Sequence, residues 1–201
     1  MVRLDKGDKK MGVLEEKAME ELLKEKIFGE FNNVSQDFKF GRNLKVGSFN
    51  TILRDVEVGN NVDIQNYVLL KPGTRIGNDC YVDSYVLSSG ACTIGNNVIL
   101  RYRTVIARNV IIEDNNFFTA GVKTIFLDHS AQATPKPLHI KEGSFFGDNS
   151  IIMGGITVAE NCIIGACAFV NKDTEPNGVY VGTPARRLRD VREDELWYKK
   201  P

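Results

Sequence analysis

One periodicity constrains the fold of this 201-residue chain, because large apolar residues recur at every sixth position. The series runs from Val46 to Phe118, where only Ser88 is not a large apolar residue, and it resumes from Ile140 to Val170. Neither the 3.6-residue period of a helix nor the two-residue period of one long strand explains a repeat of six. The series therefore predicts many short, equivalent elements that stack on one another.

A second column of mostly small or β-branched residues lies four positions after each member of the first column. This alternation suits short strands whose inner side chains face a narrow core. Three of the four cysteines, Cys80, Cys92 and Cys162, fall in the second column, so we expect them to be buried packing residues. None of the four forms a CxxC pair, and their spacing fits no common zinc motif, so no metal is predicted.

A longer period of 18 residues overlies the short one. Gly-Asn or Gly-Asp pairs begin at Gly59, Gly77 and Gly95, and the spacing returns at Gly147 and Gly165. Glycine, asparagine and aspartate tolerate the positive φ that tight corners need. The sequence thus predicts three strands and three corners in each coil, and coils that bury their inner faces by stacking into a triangular prism.

This pattern resembles the hexapeptide repeat of left-handed parallel β-helix acetyltransferases over about residues 43–176. The segment Val181-Gly182-Thr183-Pro184-Ala185-Arg186 is similar to the one that closes the helix in the sugar O-acetyltransferases of the galactoside and maltose type and in the xenobiotic acetyltransferases. The resemblance implies the left hand of the helix, acetyl-CoA as co-substrate, a small-molecule acceptor, and a homotrimer with active sites between subunits.

We therefore expect a mainly β fold: a left-handed parallel β-helix with a short N-terminal helical region, one protruding loop and a C-terminal helix. Residues 1–42 form the predicted N-terminal cap and connector, in which residues 8–31 have apolar residues at helical spacing. The β-helix domain takes residues 43–180, with a loop insertion at 124–139, and the tail or helix takes residues 181–201.

The insertion at 124–139 holds both histidines of the chain. His129 lies where the resembling enzymes carry their catalytic histidine, and an imidazole can take a proton from an acceptor at neutral pH. We predict His129 as general base and Asp128 as a residue that orients it or contacts substrate. His139 directly precedes Ile140, so we interpret it as the residue that enters the next strand.

The resemblance also implies a coenzyme A site. Its arm would pass the corner residues Gly147, Asp148, Gly165 and Ala166, although the family more often has a small neutral residue at the position of Asp148. Phosphate contacts map onto Lys172, Arg186 and Arg189, because cationic side chains bind phosphates by charge-assisted hydrogen bonds.

Arg101 occupies the position at which sugar O-acetyltransferases carry an asparagine that holds the sugar. Arg101 and Arg103 are therefore the predicted acceptor-binding residues, for an acceptor that is negatively charged or a nucleotide. The alternative is that both arginines are outward-facing surface residues.

Composition limits the other function classes. Lys and Arg number 26, as do Asp and Glu, so the net charge is zero and gives no global field that would attract nucleic acid or a membrane. No apolar run approaches the roughly 20 residues of a membrane span, and the charged N-terminus lacks the apolar core of a signal peptide, so we expect a cytoplasmic protein.

Three alternatives stay open. The first is an N-acetyltransferase that acts on an amino sugar or a nucleotide-linked amino sugar. The second is a non-enzymatic trimeric β-helix scaffold. The third is a γ-class carbonic anhydrase, which needs three histidines around zinc, whereas this chain has two.

Overall fold

The computed structural model describes residues 28–127, 130–134 and 136–199, which form three sheets named A, B and C in the order in which the chain visits them. Sheet A contains β1 (Asn33–Val34), β4 (Thr51–Ile52), β7 (Leu69–Leu70), β10 (Leu87–Ser88), β13 (Val105–Ile106), β16 (Lys123–Thr124), β19 (Ile151–Ile152) and β22 (Phe169–Val170). Sheet B contains β2 (Lys39–Phe40), β5 (Glu57–Val58), β8 (Thr74–Ile76), β11 (Cys92–Ile94), β14 (Val110–Ile112), β17 (Leu138–Ile140) and β20 (Thr157–Val158). Sheet C contains β3 (Lys45–Val46), β6 (Asp63–Ile64), β9 (Tyr81–Val82), β12 (Ile99–Leu100), β15 (Phe117–Phe118), β18 (Phe145–Phe146), β21 (Ile163–Ile164), β23 (Gly178–Val181) and β24 (Arg186–Asp190).

All strand pairs except that of β23 with β24 are parallel, and before the insertion each strand pairs with the strand 18 residues away. Leu87, for example, lies between Leu69 and Val105. Each coil therefore contributes one strand to each sheet, and the coils stack into a prism. The predicted fold class, a mainly β chain coiled as a left-handed parallel β-helix, agrees with this arrangement.

The core fills the inside of the prism as predicted. All members of the six-residue series are at most 5% exposed, and Ser88 is 1% exposed. Cys80, Cys92 and Cys162 are buried, which confirms their role in packing, whereas Cys167 is exposed. Burial raises the pKa of the Cys80 thiol to about 11, so this thiol stays protonated at neutral pH.

The stacking continues across the insertion. β15 pairs with β18 and β14 pairs with β17, so the strand pairing of sheets B and C continues across the insertion. Phe118 and Phe146 stack in the core with ring centroids 4.5 Å apart, and both are fully buried. The insertion therefore leaves the prism at one corner without disturbing the coils on either side.

The three corners are named by the sheets that they join. At the B–C corner, a ladder of polar side chains runs along the prism: the backbone N–H groups of Asn60, Asn78 and Asn96 each donate to the side-chain oxygen one coil further on. The left-handed corner positions are held by residues such as Asn61 and Asn97, which tolerate that conformation. The A–B corner carries the insertion, and the C–A corner is described with the candidate site.

The β-helix begins earlier than the predicted boundary at residue 43. Residues 28–31, predicted as the end of a helix, are not helical, because Phe28 bridges Val46 in parallel and Phe31 has a left-handed φ of 58°. The predicted connector contains β1 and β2, with Val34 and Phe38 buried. These apolar residues continue the six-residue spacing in a segment whose composition is polar. The rest of the predicted N-terminal helix lies outside the described residues.

The predicted C-terminal helix is wrong for the described residues. Arg186–Asp190 forms β24, which pairs antiparallel with β23, and two short 3-10 turns follow at Glu193–Glu195 and Trp197–Lys199. β23 would otherwise leave unpaired N–H and C=O groups at the edge of sheet C, and the strand conformation of β24 satisfies them. No helix in the described part of the chain is long and apolar enough to cross a membrane.

Candidate functional site

The insertion occupies residues 125–137, between β16 and β17, and its described residues form the base of a hairpin. Leu127 and Ala133 form an antiparallel bridge, and the N–H of Thr134 donates to the carbonyl oxygen of Phe126 at 3.0 Å. Phe126 packs against the core. The predicted limits of 124–139 are therefore too wide, because Thr124 and His139 are strand residues.

The insertion lies against the next coil of the A–B corner. A Cβ atom added to Gly154 would meet the carbonyl oxygen of Ile125 at 2.5 Å and the hydroxyl oxygen of Thr134 at 2.8 Å. Glycine is thus needed at this position for the base of the hairpin to approach. Asp128 and His129, the predicted orienting residue and base, follow Leu127 in the sequence and lie outside the described residues.

The predicted coenzyme residues stack along the C–A corner. A Cβ atom at Gly147 would lie 2.5 Å from the backbone nitrogen of Ala166, and a Cβ atom at Gly165 would lie 2.9 Å from a methyl carbon of Val181. The coils touch through their backbones at Gly147, whereas Gly165 faces a side chain. Gly147, Gly165 and Ala166 leave a row of small side chains at the corner. Asp148 uses one carboxylate oxygen to accept a hydrogen bond from the backbone N–H of Ala120, one coil earlier, at 3.1 Å.

Two of the predicted phosphate contacts share a cavity at the C-terminal end of the prism. Lys172 and Arg186 line a space of about 320 Å³ together with Glu175, Tyr180 and Arg187. Within the described part of the chain, Lys172 has no hydrogen bond or ion pair, and Arg186 donates only to the carbonyl oxygen of its neighbour, Ala185. Both cations are therefore free to bind an anion.

Arg189, the third predicted phosphate contact, lies elsewhere. Both terminal nitrogens of its guanidinium donate to the carboxylate of Glu195, each at 2.7 Å. Hydrogen bonds from Arg189 and from the backbone N–H of Arg192 lower the pKa of Glu195 to about 2. The geometry thus gives Arg189 a role within the tail. Arg187 lines the cavity in place of Arg189, but its guanidinium is already paired with Asp190 at 2.6 Å.

The two predicted acceptor-binding arginines project at the C–A corner. Arg101 pairs with Asp83 at 3.2 Å and lies over the ring of Tyr81. Arg103 lies 5.1 Å above the ring centroid of Tyr102 and has no carboxylate partner in the described residues. Both arginines are on the surface. This position is compatible with both interpretations of them, as acceptor-binding residues and as outward-facing surface residues.

The structure joins some of the predicted groups and separates others. The N–H of Gly121 donates to the carbonyl oxygen of Tyr102, and the N–H of Asn149 donates to that of Ala120, so the arginine segment and the segment of Asp148 are two coils apart on one corner. The insertion leaves the opposite edge of sheet A. Sheet A therefore separates the insertion from the glycine row within one chain.

Sequence reasoning missed an ionic cluster on the outer face of sheet B. His139 Nε2 lies 2.7 Å from an oxygen of Glu113, and the ammonium nitrogen of Lys141 lies 2.9 Å from the same oxygen. Partial burial raises the pKa of Glu113, but Lys141 and His139 offset this, so that the pKa is lowered overall. Glu113 and His139 meet only because β14 and β17 are neighbours across the insertion, which the 18-residue spacing does not reveal.

No group of three or more His, Cys, Asp or Glu side chains that could hold a metal ion occurs among residues 28–127, 130–134 and 136–199. The one exposed cysteine, Cys167, follows Ala166 at the C–A corner and has a left-handed φ of 57°.

Residues 137–172 match the family model of the bacterial transferase hexapeptide (six repeats). The chain is 30% identical over 101 residues to the galactoside O-acetyltransferase of Escherichia coli strain K12, which covers 48% of this chain and 49% of that protein. It is 41% identical over 51 residues to a chloramphenicol acetyltransferase of Agrobacterium fabrum strain C58, covering 25% of this chain and 24% of that one.

Among solved structures, LpxA from Bacteroides fragilis 9343, a UDP-N-acetylglucosamine acyltransferase, superposes with a TM-score of 0.63 at 20% identity and covers 80% of this chain and 73% of that one. This likeness shows that the fold is shared. The chain spans about half or less of the length of the curated relatives that it matches.

Proposed function

We propose that this protein is an acetyl-CoA-dependent acetyltransferase that moves an acetyl group to a hydroxyl of a sugar or sugar-containing small molecule. The observation that carries the proposal is the row of small residues at the C–A corner, which leads to two free cations. Gly147 lies against Gly165 and Ala166, and Gly165 lies next to Val181. Val181 is paired with Arg186, and Arg186 shares its cavity with Lys172.

This arrangement suits the shape and charge of coenzyme A. The arm of coenzyme A is thin and largely uncharged, and a corner without side chains lets it lie close to the backbone. Its phosphates need cations, and ammonium and guanidinium groups supply charge-assisted hydrogen bonds. The hexapeptide match and the acetyltransferase names of the relatives support the same co-substrate.

In the proposed reaction, the imidazole of His129 accepts the proton of the acceptor hydroxyl. The acceptor oxygen then bonds to the carbonyl carbon of the thioester, and the carbon–sulfur bond breaks. The thiolate of coenzyme A leaves and takes up a proton. The group that performs this step needs a pKa near neutral pH, which imidazole has.

We further propose that the protein acts as a homotrimer with its sites between subunits. The separation of the insertion from the glycine row by sheet A supports this, because one chain alone keeps the two at opposite edges of a sheet. A second copy beside the first would let the insertion of one chain face the corner of the other.

A second acceptor class is favoured by Arg103. Its guanidinium contacts two aromatic rings and has no carboxylate partner among the described residues, so it can bind an anionic acceptor. This favours a nucleotide-linked sugar, and an amine of such a sugar would be acetylated by the same chemistry. Replacing Arg103 with Gln should raise the KM of an anionic acceptor and leave that of a neutral sugar unchanged.

The test is thiol release from acetyl-CoA with a panel of sugars, amino sugars and nucleotide-linked sugars. His129→Ala should lower kcat/KM by about 10²–10⁴, the usual contribution of a general base. His139→Ala is the matched control, because it removes the other imidazole of the chain, and it should keep most of the activity. Turnover by His129→Ala at the native rate would rule out the assigned base, and no thiol release with any acceptor would rule out the proposed activity.

A further inference from the structure

A groove runs along the outer face of sheet B in the N-terminal half of the prism, beside the B–C corner. Its volume is about 500 Å³, and it crosses the coils that contain β2, β5, β8 and β11. Its floor consists of the last residue of each of these strands: Phe40, Val58, Ile76 and Ile94. One wall is formed by the outward side chains of the same strands: Lys39, Glu57, Arg75 and Thr93. The opposite wall is the corner itself.

Glycine at the first position of the B–C corner opens the groove. Four successive coils have glycine there: Gly41, Gly59, Gly77 and Gly95. The polar ladder of the corner requires them, since a Cβ atom at Gly41 or Gly59 would lie 2.5 or 2.6 Å from an asparagine side-chain oxygen. Glu113 and Lys141 occupy the same position in the next two coils and belong to the ionic cluster with His139. The groove therefore ends at this cluster.

The missing side chains uncover the floor of the groove. Val58 and Ile76 are each 5% exposed, the largest value in the six-residue series, whereas Ile112 and Ile140 of the same sheet are at most 1% exposed. The charged residues that follow these two isoleucines shield them. From Phe40 to Ile94 the groove crosses three intervals between coils, a length of ~14 Å at ~4.8 Å each. It is thus a straight apolar channel, and no described residue covers it.

The N-terminal end of the prism, in contrast, is already covered by residues of the first coil. The rings of Phe28 and Phe38 both contact that of Phe40, with centroids 6.2 and 5.3 Å apart. Val34 and Phe38 are each only 3% exposed, although no described residue precedes Phe28. A further segment laid across this end would therefore cover little additional core.

The chain enters the prism beside the groove. Phe28 bridges Val46 on sheet C, and the strands of this sheet begin directly after the B–C corner. Phe28 also contacts Phe40, the first residue of the groove floor. The segment before Phe28 therefore starts at the end of the groove.

The sequence of this segment matches the groove in length and in pattern. Its apolar residues at helical spacing include Met11, Leu14, Ala18 and Leu22. This stripe spans ~16 Å at ~1.5 Å per residue, close to the length of the groove. The residues that border the stripe at helical spacing are acidic: Glu15, Glu21 and Glu25. The wall of the groove carries two cations, Lys39 and Arg75, and the side chain of Lys39 is 74% exposed, so it can reach a second carboxylate besides Glu57.

We infer that the segment before Phe28 folds back along the outer face of sheet B and packs its apolar stripe into the groove. Leu22 lies near Phe40, and the segment runs as a helix towards the ionic cluster. From Leu22 to Leu14 the helix advances ~12 Å, or about 2.5 coils, so Leu14 reaches the floor between Ile76 and Ile94. A helix whose apolar face lies in a groove is a common mode of recognition, and here both partners belong to one chain.

The test places a photo-cross-linking amino acid at Leu14 of the full-length protein. Cross-linked peptides are identified by mass spectrometry in a mixture of isotope-labelled and unlabelled protein, which separates links within one chain from links between copies. Links within one chain to the peptides of β8 and β11 are expected. The same amino acid at Glu20 is the control, because Glu20 is on the opposite side of a helix from the stripe, and it should give several-fold fewer of these links.

A pair of variants tests the groove itself. Thr93→Trp puts a large ring into the groove, and an exposed strand position tolerates tryptophan. It should lower the yield of links from Leu14 to sheet B several-fold. Thr157→Trp is the matched control, because Thr157 is also an outward threonine of sheet B but lies beyond the end of the groove, and it should keep the native yield. Circular dichroism checks that both variants fold.

Links from Leu14 to sheet A or sheet C, to the end of the prism at Val34 and Phe38, or only to another copy would overturn the inference. Equal yields from Leu14 and Glu20, or the native yield in a folded Thr93→Trp variant, would also contradict it. The measurements use neither acetyl-CoA nor an acceptor, so failure of the proposed function does not affect them.

Discussion

Gly147 and Gly165 look equivalent in the sequence but differ in what surrounds them. A side chain at Gly147 would meet backbone atoms of the next coil, whereas at Gly165 the nearest atom is a side-chain methyl carbon of Val181. Backbone within a stacked coil cannot move aside, but the end of a side chain can. The two glycines therefore tolerate a methyl group to different degrees.

Gly147→Ala should destabilise the protein by about 1–3 kcal/mol, the usual cost of overpacking. Gly165→Ala serves as its matched control and should cost less, because Val181 can change rotamer. Urea unfolding followed by circular dichroism measures both. Equal losses would mean that the corner adjusts its backbone more freely than the 2.5 Å approach allows.

The free cations of the end cavity give a second prediction at this scale. Lys172→Gln and Arg186→Gln should each raise the KM for acetyl-CoA roughly 10- to 100-fold, as expected for one lost hydrogen bond to a charged group. Arg189→Gln should leave it nearly unchanged, because this guanidinium is held by Glu195. A larger effect of Arg189→Gln than of Lys172→Gln would contradict the assignment of the cavity.

A small number of well-defined contacts hold the tail after β24 against the coils. Trp197 donates its indole N–H to the carbonyl oxygen of Asn115 at 3.1 Å, and the hydroxyl of Tyr198 donates to Asn161 at 2.7 Å. Glu195 fixes the turn before them by accepting from Arg189 and from the backbone N–H of Arg192. The geometry of the tail therefore depends on the carboxylate of Glu195.

The pKa of Glu195 predicts how the tail responds to acid. The folded-state pKa of about 2 is below the ordinary value of 4.5, so the carboxylate stabilises the tail fully above pH 4.5 and loses this effect as the pH falls towards 2. Trp197 is the only tryptophan in the chain, and its fluorescence should shift to that of a solvent-exposed indole over this range. Glu195→Gln should show part of the shift already at neutral pH.

Glu193→Gln is the control for this experiment, since Glu193 is in the same turn but 87% exposed and 3.4 Å from its partner Lys199. It should follow the native acid titration. If Glu193→Gln and Glu195→Gln behave alike, the fluorescence shift reports general acid unfolding, and the tail does not depend on Glu195 in particular.

The whole molecule is a one-dimensional stack in which each coil contacts only its neighbours. Stability in such proteins is approximately a sum of coil and interface contributions, and a weakened coil affects the coils next to it most. The coil pair across the insertion depends on Phe118 and Phe146, which cover each other in the core.

Phe146→Ala should therefore cost about 3–5 kcal/mol and do so locally. Hydrogen exchange should quicken most in the strands of sheet C that flank it, β15 and β21, and least at β3. A double-mutant cycle with Phe118→Ala should be non-additive because the two rings share one contact. Uniform quickening along the prism would show that the stack unfolds only as a single unit.

Several parts of the candidate site could be predicted from sequence, and others could not. The repeat places Gly147 and Ala166 at one corner of the prism, as the structure shows. Lys172 and Arg186 came from the resemblance to the acetyltransferases, and a role of these residues in binding coenzyme A stays a prediction. The pairing of Arg189 with Glu195 and the cluster of His139 with Glu113 were missed. Both depend on chain segments that the period does not describe: a tail beyond the last coil, and strands brought together across an insertion.

The sequence by itself determined the coil, since a six-residue apolar period with glycine and asparagine every 18 residues can bury its apolar side chains only by stacking short strands. Periodicity acts within a coil and between neighbouring coils, so it fixed the register, the core and the corners. The tertiary structure decided what the segments before and after the predicted coils became. The tail became a strand because β23 left an open edge, and residues 33–40 joined the prism because Val34 and Phe38 could be buried there.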